Sequence, residues 1–224
     1  MSRIIAGARR GMRIVMPHSG KTRPTTDRVR EALFSAVTSW AGTSGAPPER
    51  SLAGLGFCDL YAGSGAVGLE AASRGAAPVL LVELDRRTAL TATHNVGALG
   101  LDARVVTSRV EQLVRTPPDL CFDVVFADPP YDVHNDVVEA VLEHVVRQRW
   151  VAADGLVVVE RARRSGDLRW PAGWGHGWVR RYGETVLNFG RAGLDTTPTL
   201  DTAPTLDTTP TLDTARPIQN EESR

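Results

Sequence analysis

The chain has only two cysteines, Cys58 and Cys121, and that scarcity excludes a disulfide framework and a cysteine-based metal cluster. Both adjoin apolar, strand-like runs, so both are expected to be buried free thiols. Histidine is equally sparse in pattern. His18, His94, His134, His144 and His176 are scattered, with no spacing that makes a ligand set, and no metal is expected. No apolar run approaches the ~20 residues that cross a bilayer, so no membrane partner is expected. The start of the chain is arginine-rich, as transit peptides are, but carries no clear cleavage pattern, which leaves the cytoplasm as the default compartment. Net charge is missing too, because 26 basic and 26 acidic residues cancel.

The distribution of charge is more informative than its sum. Residues 1–30 hold eight cations (Arg3, Arg9, Arg10, Arg13, Lys21, Arg23, Arg28 and Arg30) against the single acid Asp27. A local excess of that size in a neutral chain is an electrostatic footprint for nucleic acid. Arg3-Ile4-Ile5-Ala6-Gly7 and Met12-Arg13-Ile14-Val15-Met16 read as short strands around a glycine turn, a hairpin that carries Arg3, Arg9, Arg10 and Arg13.

At 224 residues the chain suits one domain with extras. Thr25-Thr26-Asp27 caps a helix that ends before Gly42, with Val29, Leu33, Phe34 and Val37 on one face. Strands and helices then alternate: strand 56–61, helix 66–74, strand 79–83, helix 86–99, strand 103–107, a short helix 111–115, strand 123–127, a helical stripe from Val137 to Val146, and strand 155–160. That alternation predicts an α/β fold with a parallel sheet covered on both faces. Two further runs, 178–182 and 185–189, flank Gly183-Glu184 and predict a terminal antiparallel hairpin. From Asp195 a six-residue Asp/Thr/Pro/Leu repeat has too little apolar content for a core and reads as a disordered tail. The expected domains are therefore a basic hairpin extension over 1–22, the α/β domain over 23–192, and the tail over 193–224.

Asp128-Pro129-Pro130-Tyr131 closes the apolar run 123–127. Proline has no N–H and a fixed φ, so the carbonyls at this strand end cannot enter a helix and are expected to remain as acceptors. The Asp128 carboxylate and the Pro129 carbonyl suit the two protons of an amine on a flat substrate, and the Tyr131 ring can stack on its plane. Such positioning is what methyl transfer to an exocyclic amine requires. Upstream, Gly63, Gly65 and Gly68 fit G-x-G-x-x-G between a strand and a helix, and Glu83 ends the next strand. Glycines let a ligand near the backbone, and the acid can accept ribose hydroxyls. To this point a dinucleotide oxidoreductase fits as well. Asp59, four residues before Gly63, disfavours a pyrophosphate and favours a ligand with an ammonium and a sulfonium, such as S-adenosylmethionine.

These residues carry a family resemblance. Arg3 to Gly7, Arg23-Pro24-Thr25-Thr26-Asp27-Arg28-Val29-Arg30-Glu31, Asp59 to Gly68, Val82-Glu83-Leu84-Asp85, Asp128 to Tyr131 and Tyr182-Gly183-Glu184-Thr185 resemble the RsmD family, which methylates the N2 of one guanine in 16S ribosomal RNA. The run from Arg23 to Glu31 is the most specific part. The resemblance implies a Rossmann-like class I SAM-dependent methyltransferase fold, with a seven-stranded, mostly parallel sheet and an antiparallel last strand. It implies S-adenosylmethionine as cofactor, held by Asp59, Tyr61, Gly63, Gly65 and Glu83, with Val110 beyond the third strand. It implies that Asp128, Pro129 and Tyr131 hold the guanine, and that Arg3, Arg9, Arg10, Arg13, Arg23 and Arg28 contact RNA. The partner is then 16S rRNA, in the small ribosomal subunit or an assembly intermediate, and the enzyme is expected to be a monomer. One departure stands out: Ser108-Arg109-Val110 occupies the stretch where such enzymes often place an acid for the adenine amine, and arginine has no acceptor. The rival readings are an adenine N6 methyltransferase on DNA or RNA, and a SAM-binding RNA assembly factor without turnover.

Overall fold

The computed structural model describes residues 2–17 and 26–191. The six-residue repeat, Arg23 and the expected boundary at 22/23 lie outside the described residues. Two strands, β1 (Ser2–Arg3) and β2 (Arg13–Ile14), pair antiparallel and are followed by α1 (Asp27–Trp40). The main domain then runs β3 (Phe57–Leu60), α2 (Ala66–Ser73), β4 (Val79–Glu83), α3 (Arg86–Leu99), β5 (Arg104–Thr107), α4 (Val110–Leu113), β6 (Phe122–Ala127), α5 (Asn135–Arg147), β7 (Val151–Ala162), β8 (Gly175–Tyr182) and β9 (Thr185–Arg191).

Seven strands form one sheet in the order β5-β4-β3-β6-β7-β9-β8. β3 to β7 are mutually parallel, and the last strand, β9, inserts antiparallel between β7 and β8. The apolar faces of α1, α2 and α3 cover one side of the sheet, with Leu33, Phe34, Leu69 and Leu99 against Phe126 and Val158. On the other side α4 and α5 bring Val110, Val138, Leu142 and Val145 against Val125, Val157 and Val159. Beyond β7 the aromatics gather: Trp170 stacks on Trp174 at 5.1 Å, and Trp178 on Phe189 at 4.8 Å.

Capping explains why the helices start and stop where they do. The Thr26 hydroxyl accepts from Val29 N–H, and the Asp85 carboxylate accepts from Thr88 N–H at 2.8 Å. Gly100, at φ +57, ends α3 in the left-handed conformation that favours glycine.

Three local features differ from expectation. Cys58 is buried, but Cys121 is exposed, because it precedes β6 rather than lying in it. β7 begins at Val151 instead of residue 155, and a register shift against β6 accommodates the extra residues, with Asp154 at φ +62. The N-terminal hairpin has shorter strands than expected and does not stand apart. Ile4 and Ile14 are buried in the same core as Leu33 and Leu69. The fully buried Glu70 of α2 accepts the backbone N–H of Ile5 and Ala6 at 2.6 and 2.9 Å, and also binds Arg74. Gly7 is needed there, since a Cβ would sit 2.0 Å from the Ser73 carbonyl oxygen.

Candidate active site

The register of three central strands puts their ends level. Leu60 lies opposite Val82 on one side and Ala127 on the other, so Tyr61, Glu83 and Asp128 leave the sheet together at its carboxyl edge. The Ala62 N–H reaches the Val82 carbonyl at 2.8 Å, and the Asp128 N–H reaches the Leu60 carbonyl at 3.4 Å, extending both pairings past the strands. In an open parallel sheet this edge is where ligands bind.

Asp59 is almost completely buried beneath α2, its Oδ2 accepting the Gly68 N–H at 2.9 Å. Burial pushes its carboxyl up to about 7. The Gly68 hydrogen bond opposes that rise and the nearby Glu83 adds to it. Glu83 itself accepts from Gly63 N–H at 2.9 Å and from Asp85 N–H at 2.8 Å, one bond to each oxygen. A carboxylate has about four acceptor sites, so two donors leave room for ribose hydroxyls.

The glycines divide into two roles. At Gly63 (φ +56) an added Cβ would meet nothing within 4 Å, which is the open approach a ligand needs. At Gly65 a Cβ would press on Leu81 and Leu69 at 3.0 and 3.2 Å, and at Gly68 it would collide with Leu81 at 2.1 Å. These two serve the close packing of α2 on β4. An open glycine beside an acid with acceptor sites to spare, over a buried carboxyl, fits S-adenosylmethionine.

Tyr61 adopts φ +66, uncommon for a residue with a side chain, and its hydroxyl donates to Glu111 of α4 at 2.8 Å. Burial, followed by that bond, pushes the phenol far above its ordinary range. Val110, at the first position of α4, is buried in the core, so its side chain faces away from solvent.

At the end of β6, Asp128 is half-buried, Pro129 buried and Tyr131 44% exposed. The Pro130 carbonyl already accepts the Val133 N–H at 3.0 Å, whereas no backbone N–H in the turns and loops donates to the Pro129 carbonyl among the described residues, which makes Pro129 the better placed acceptor for an amine. A residue not singled out in the sequence supports this loop. Arg161 of β7 is buried, donating from Nη2 to the Val133 carbonyl at 2.6 Å and from Nε to Asn135 Oδ1 at 3.1 Å. Burial pushes its guanidinium down, while the carboxylate of Asp128 and the oxygen of Tyr61 act to hold it charged. Arg161 follows Val157 and Val159 at alternate positions of β7, which puts it on the α5 side of the sheet, a signal that the charge run Glu160–Arg164 hides.

The proposed RNA-binding arginines fare differently from one another. Arg9 donates to the carbonyls of Leu99 and Gly100 at 2.5 and 3.2 Å and so caps α3. Arg3 lies 3.7 Å from Asp27, which also pairs with the buried Arg30. Arg10, Arg13 and Arg28 are exposed and form no ion pair among the described residues. A cleft of about 280 Å³, lined by Pro78, Leu80, Leu113, Leu120 and Trp150, lies at the opposite, amino edge of the sheet and contains none of these groups. Among the described residues no His/Cys/Asp/Glu cluster could hold a metal, and no helix is long and apolar enough to cross a membrane.

A sheet of this order with a reversed last strand, a glycine turn after its first parallel strand and an acid ending the next defines the class I SAM-dependent methyltransferase fold. Known proteins agree. The family model described as "Conserved hypothetical protein 95" matches residues 2–191. The chain is 36% identical over 176 residues to "Ribosomal RNA small subunit methyltransferase D" of Escherichia coli, covering 77% of this chain and 80% of that one. Among solved structures, the putative methyltransferase yhhF from Escherichia coli superposes with a TM-score of 0.71 at 30% identity, over 86% of this chain and 98% of its own. A Thermus thermophilus methyltransferase, RsmC, shares the fold at a TM-score of 0.56 and 21% identity, over 78% of this chain and 44% of that one. The chain belongs to the RsmD family.

Proposed function

We propose that this protein methylates the exocyclic N2 amine of a guanine in 16S rRNA, within the small ribosomal subunit or an assembly intermediate, using S-adenosylmethionine. The observation that carries this reading is the position of Asp128, at the proline-blocked end of β6 and level with Tyr61 and Glu83. The Escherichia coli relative named for small-subunit rRNA supports the choice of substrate. One chain supplies both halves of the site, so a monomer is the expected working unit.

Glu83 would hold the ribose, and Gly63 would admit the ligand to the backbone. Asp59 would offset positive charge from beneath. When bound, S-adenosylmethionine supplies an electrophilic methyl on sulfur. The chain's own task is to prepare the amine. A guanine amine is a poor nucleophile because its lone pair is delocalised into the ring. The Asp128 carboxylate and the Pro129 carbonyl would accept hydrogen bonds from its two N–H groups, favouring a localised lone pair, and the Tyr131 ring would fix the plane of the base.

An adenine N6 amine would satisfy the same acceptors. Incubation with labelled S-adenosylmethionine and small subunits, naked rRNA or DNA, followed by nucleoside mass spectrometry, separates the cases. N2-methylguanosine from the RNA samples is expected. N6-methyladenosine would replace the reading with its rival, and no product from any substrate would reject both.

A further inference from the structure

We propose that Arg163 and Arg164 form a phosphate-binding element that grips the RNA strand beside the base seated on Tyr131. This rests on the RNA-methylating function proposed above and adds a contact surface on the opposite side of the substrate loop from the N-terminal hairpin.

β7 ends at Ala162 and runs into a single 3-10 turn, Arg163–Ser165, at the same edge of the sheet as Asp128. The turn is held from both sides. The Arg163 N–H donates to the Glu184 carbonyl at 2.8 Å, tying it to the β8–β9 connection. Asn135 donates to the Ser165 and Asp167 carbonyls at 2.8 and 3.1 Å, while its own oxygen accepts from Arg161. Arg161 in turn holds the Val133 carbonyl, so the substrate loop and the arginine turn share one hydrogen-bonded frame.

That frame leaves two guanidinium groups in solvent. Arg163 and Arg164 are both exposed, and neither forms an ion pair among the described residues. Asp132, Asp167 and Glu184, the acids of the adjoining turns, are likewise exposed and form no ion pair with them. The Arg164 Cζ stands 5.9 Å from the centroid of the Tyr131 ring, within cation–π range. A base stacked on Tyr131 therefore brings its own phosphates into the reach of these cations, and a phosphate is what an exposed guanidinium fork fits best. In the hairpin, by comparison, Arg9 is held by carbonyls and Arg3 lies beside Asp27, while Arg10 and Arg13 are exposed as Arg163 and Arg164 are.

The test compares the full chain with an Arg163→Gln/Arg164→Gln double variant, binding protein-free 16S rRNA between 50 and 200 mM salt. Each phosphate contact on a single strand contributes a slope of roughly −0.7 in log affinity against log salt. Losing two should flatten the slope by about 1.4, so the affinity ratio across that range shrinks about sevenfold. Affinity for S-adenosylmethionine and the melting temperature should stay unchanged. Lysine at both positions should retain the slope, and Arg115→Gln, at the opposite edge, should leave it intact. An unaltered slope in the glutamine variant, or a loss of S-adenosylmethionine affinity in step with RNA affinity, overturns the proposal. So does a lysine pair that behaves like the glutamine pair. Nucleoside analysis of the wild type separates the two readings. Methylation with an unaltered variant slope defeats this proposal alone, whereas rRNA binding with the expected slopes but no methylated product defeats the enzymatic reading.

Discussion

Asn95 and Val15 bond to one another as two strands would: the Val15 N–H donates to Asn95 Oδ1 at 2.9 Å, and Asn95 Nδ2 donates to the Val15 carbonyl at 2.9 Å. The same Nδ2 reaches the Ser64 carbonyl, also at 2.9 Å. One buried amide on α3 thus joins the end of the basic hairpin to the glycine turn after β3.

Asn95→Ala should therefore cost more than a surface substitution, because it leaves three backbone groups unmatched. A loss of about 2–4 kcal/mol is expected in urea unfolding. Affinity for S-adenosylmethionine should fall as well, since Ser64 sits between the two site glycines. Stability near that of the wild type would show that water replaces the amide at no cost.

Asp128 and Arg161 should separate by their kinetics. Asp128→Ala removes the acceptor itself and should reduce methyl transfer by orders of magnitude, with S-adenosylmethionine affinity within several-fold of wild type. Arg161→Met should lower kcat less, by about tenfold to a hundredfold, and shift the acidic limb of the kcat–pH profile upward, because a cation near Asp128 is gone. Arg161→Lys should recover part of that shift while losing the bidentate hold on Val133 and Asn135. A kcat–pH profile that stays fixed in Arg161→Met would reduce Arg161 to a scaffold residue.

Asp59 makes a pH prediction with a definite sign. Its carboxyl titrates near 7 when folded, against 3.8 ordinarily, so the folded chain holds that proton more tightly than the unfolded chain. The stabilisation is complete below about 4 and is lost as pH rises through about 7. A cationic ligand favours the ionised form, so affinity for S-adenosylmethionine should rise with pH below 7, approaching about tenfold per unit. Titration calorimetry in buffers of different ionisation enthalpy would also detect the released proton. Asp59→Asn should abolish both effects; if the pH dependence persists in that variant, another group is responsible.

The two positive-φ glycines of the turn should fail differently. Gly63→Ala places a methyl in open space at a strained φ, so it should weaken S-adenosylmethionine binding at least tenfold with a cost of about 1–2 kcal/mol in stability. Gly65→Val drives branched bulk onto Leu81 and Leu69, so stability and cofactor binding should fall together. Equal melting temperatures for the two variants would contradict this division.

Much of this was legible from residue pattern alone. β4 and α3 fall where expected because their signals are local: a β-branched and leucine run, the Asp85 cap and the Gly100 stop. The level ends of β3, β4 and β6 followed from parallel pairing. What sequence could not show were contacts between distant segments. Glu70 reads as an ordinary helix acid, yet it is buried because Ile5 and Ala6 bring backbone donors to it. Arg161 reads as part of a solvated run, and only the length of β7 turns it inward. Arg9 reads as a phosphate ligand, and its hydrogen bonds to the end of α3 appear only once the hairpin folds onto the domain.

The clustering of aromatics beyond β7 sets what ultraviolet light can report. Trp170, Trp174 and Trp178 stack around β8 and β9, Trp150 lies beside Phe122 at the amino edge, and Trp40 closes α1. Indole emission will therefore follow the melting of β8 and β9 far more than events beside Glu83. Leu84, exposed and adjacent to that acid, is the natural place for a reporter: Leu84→Trp would give the cofactor edge an optical signal of its own.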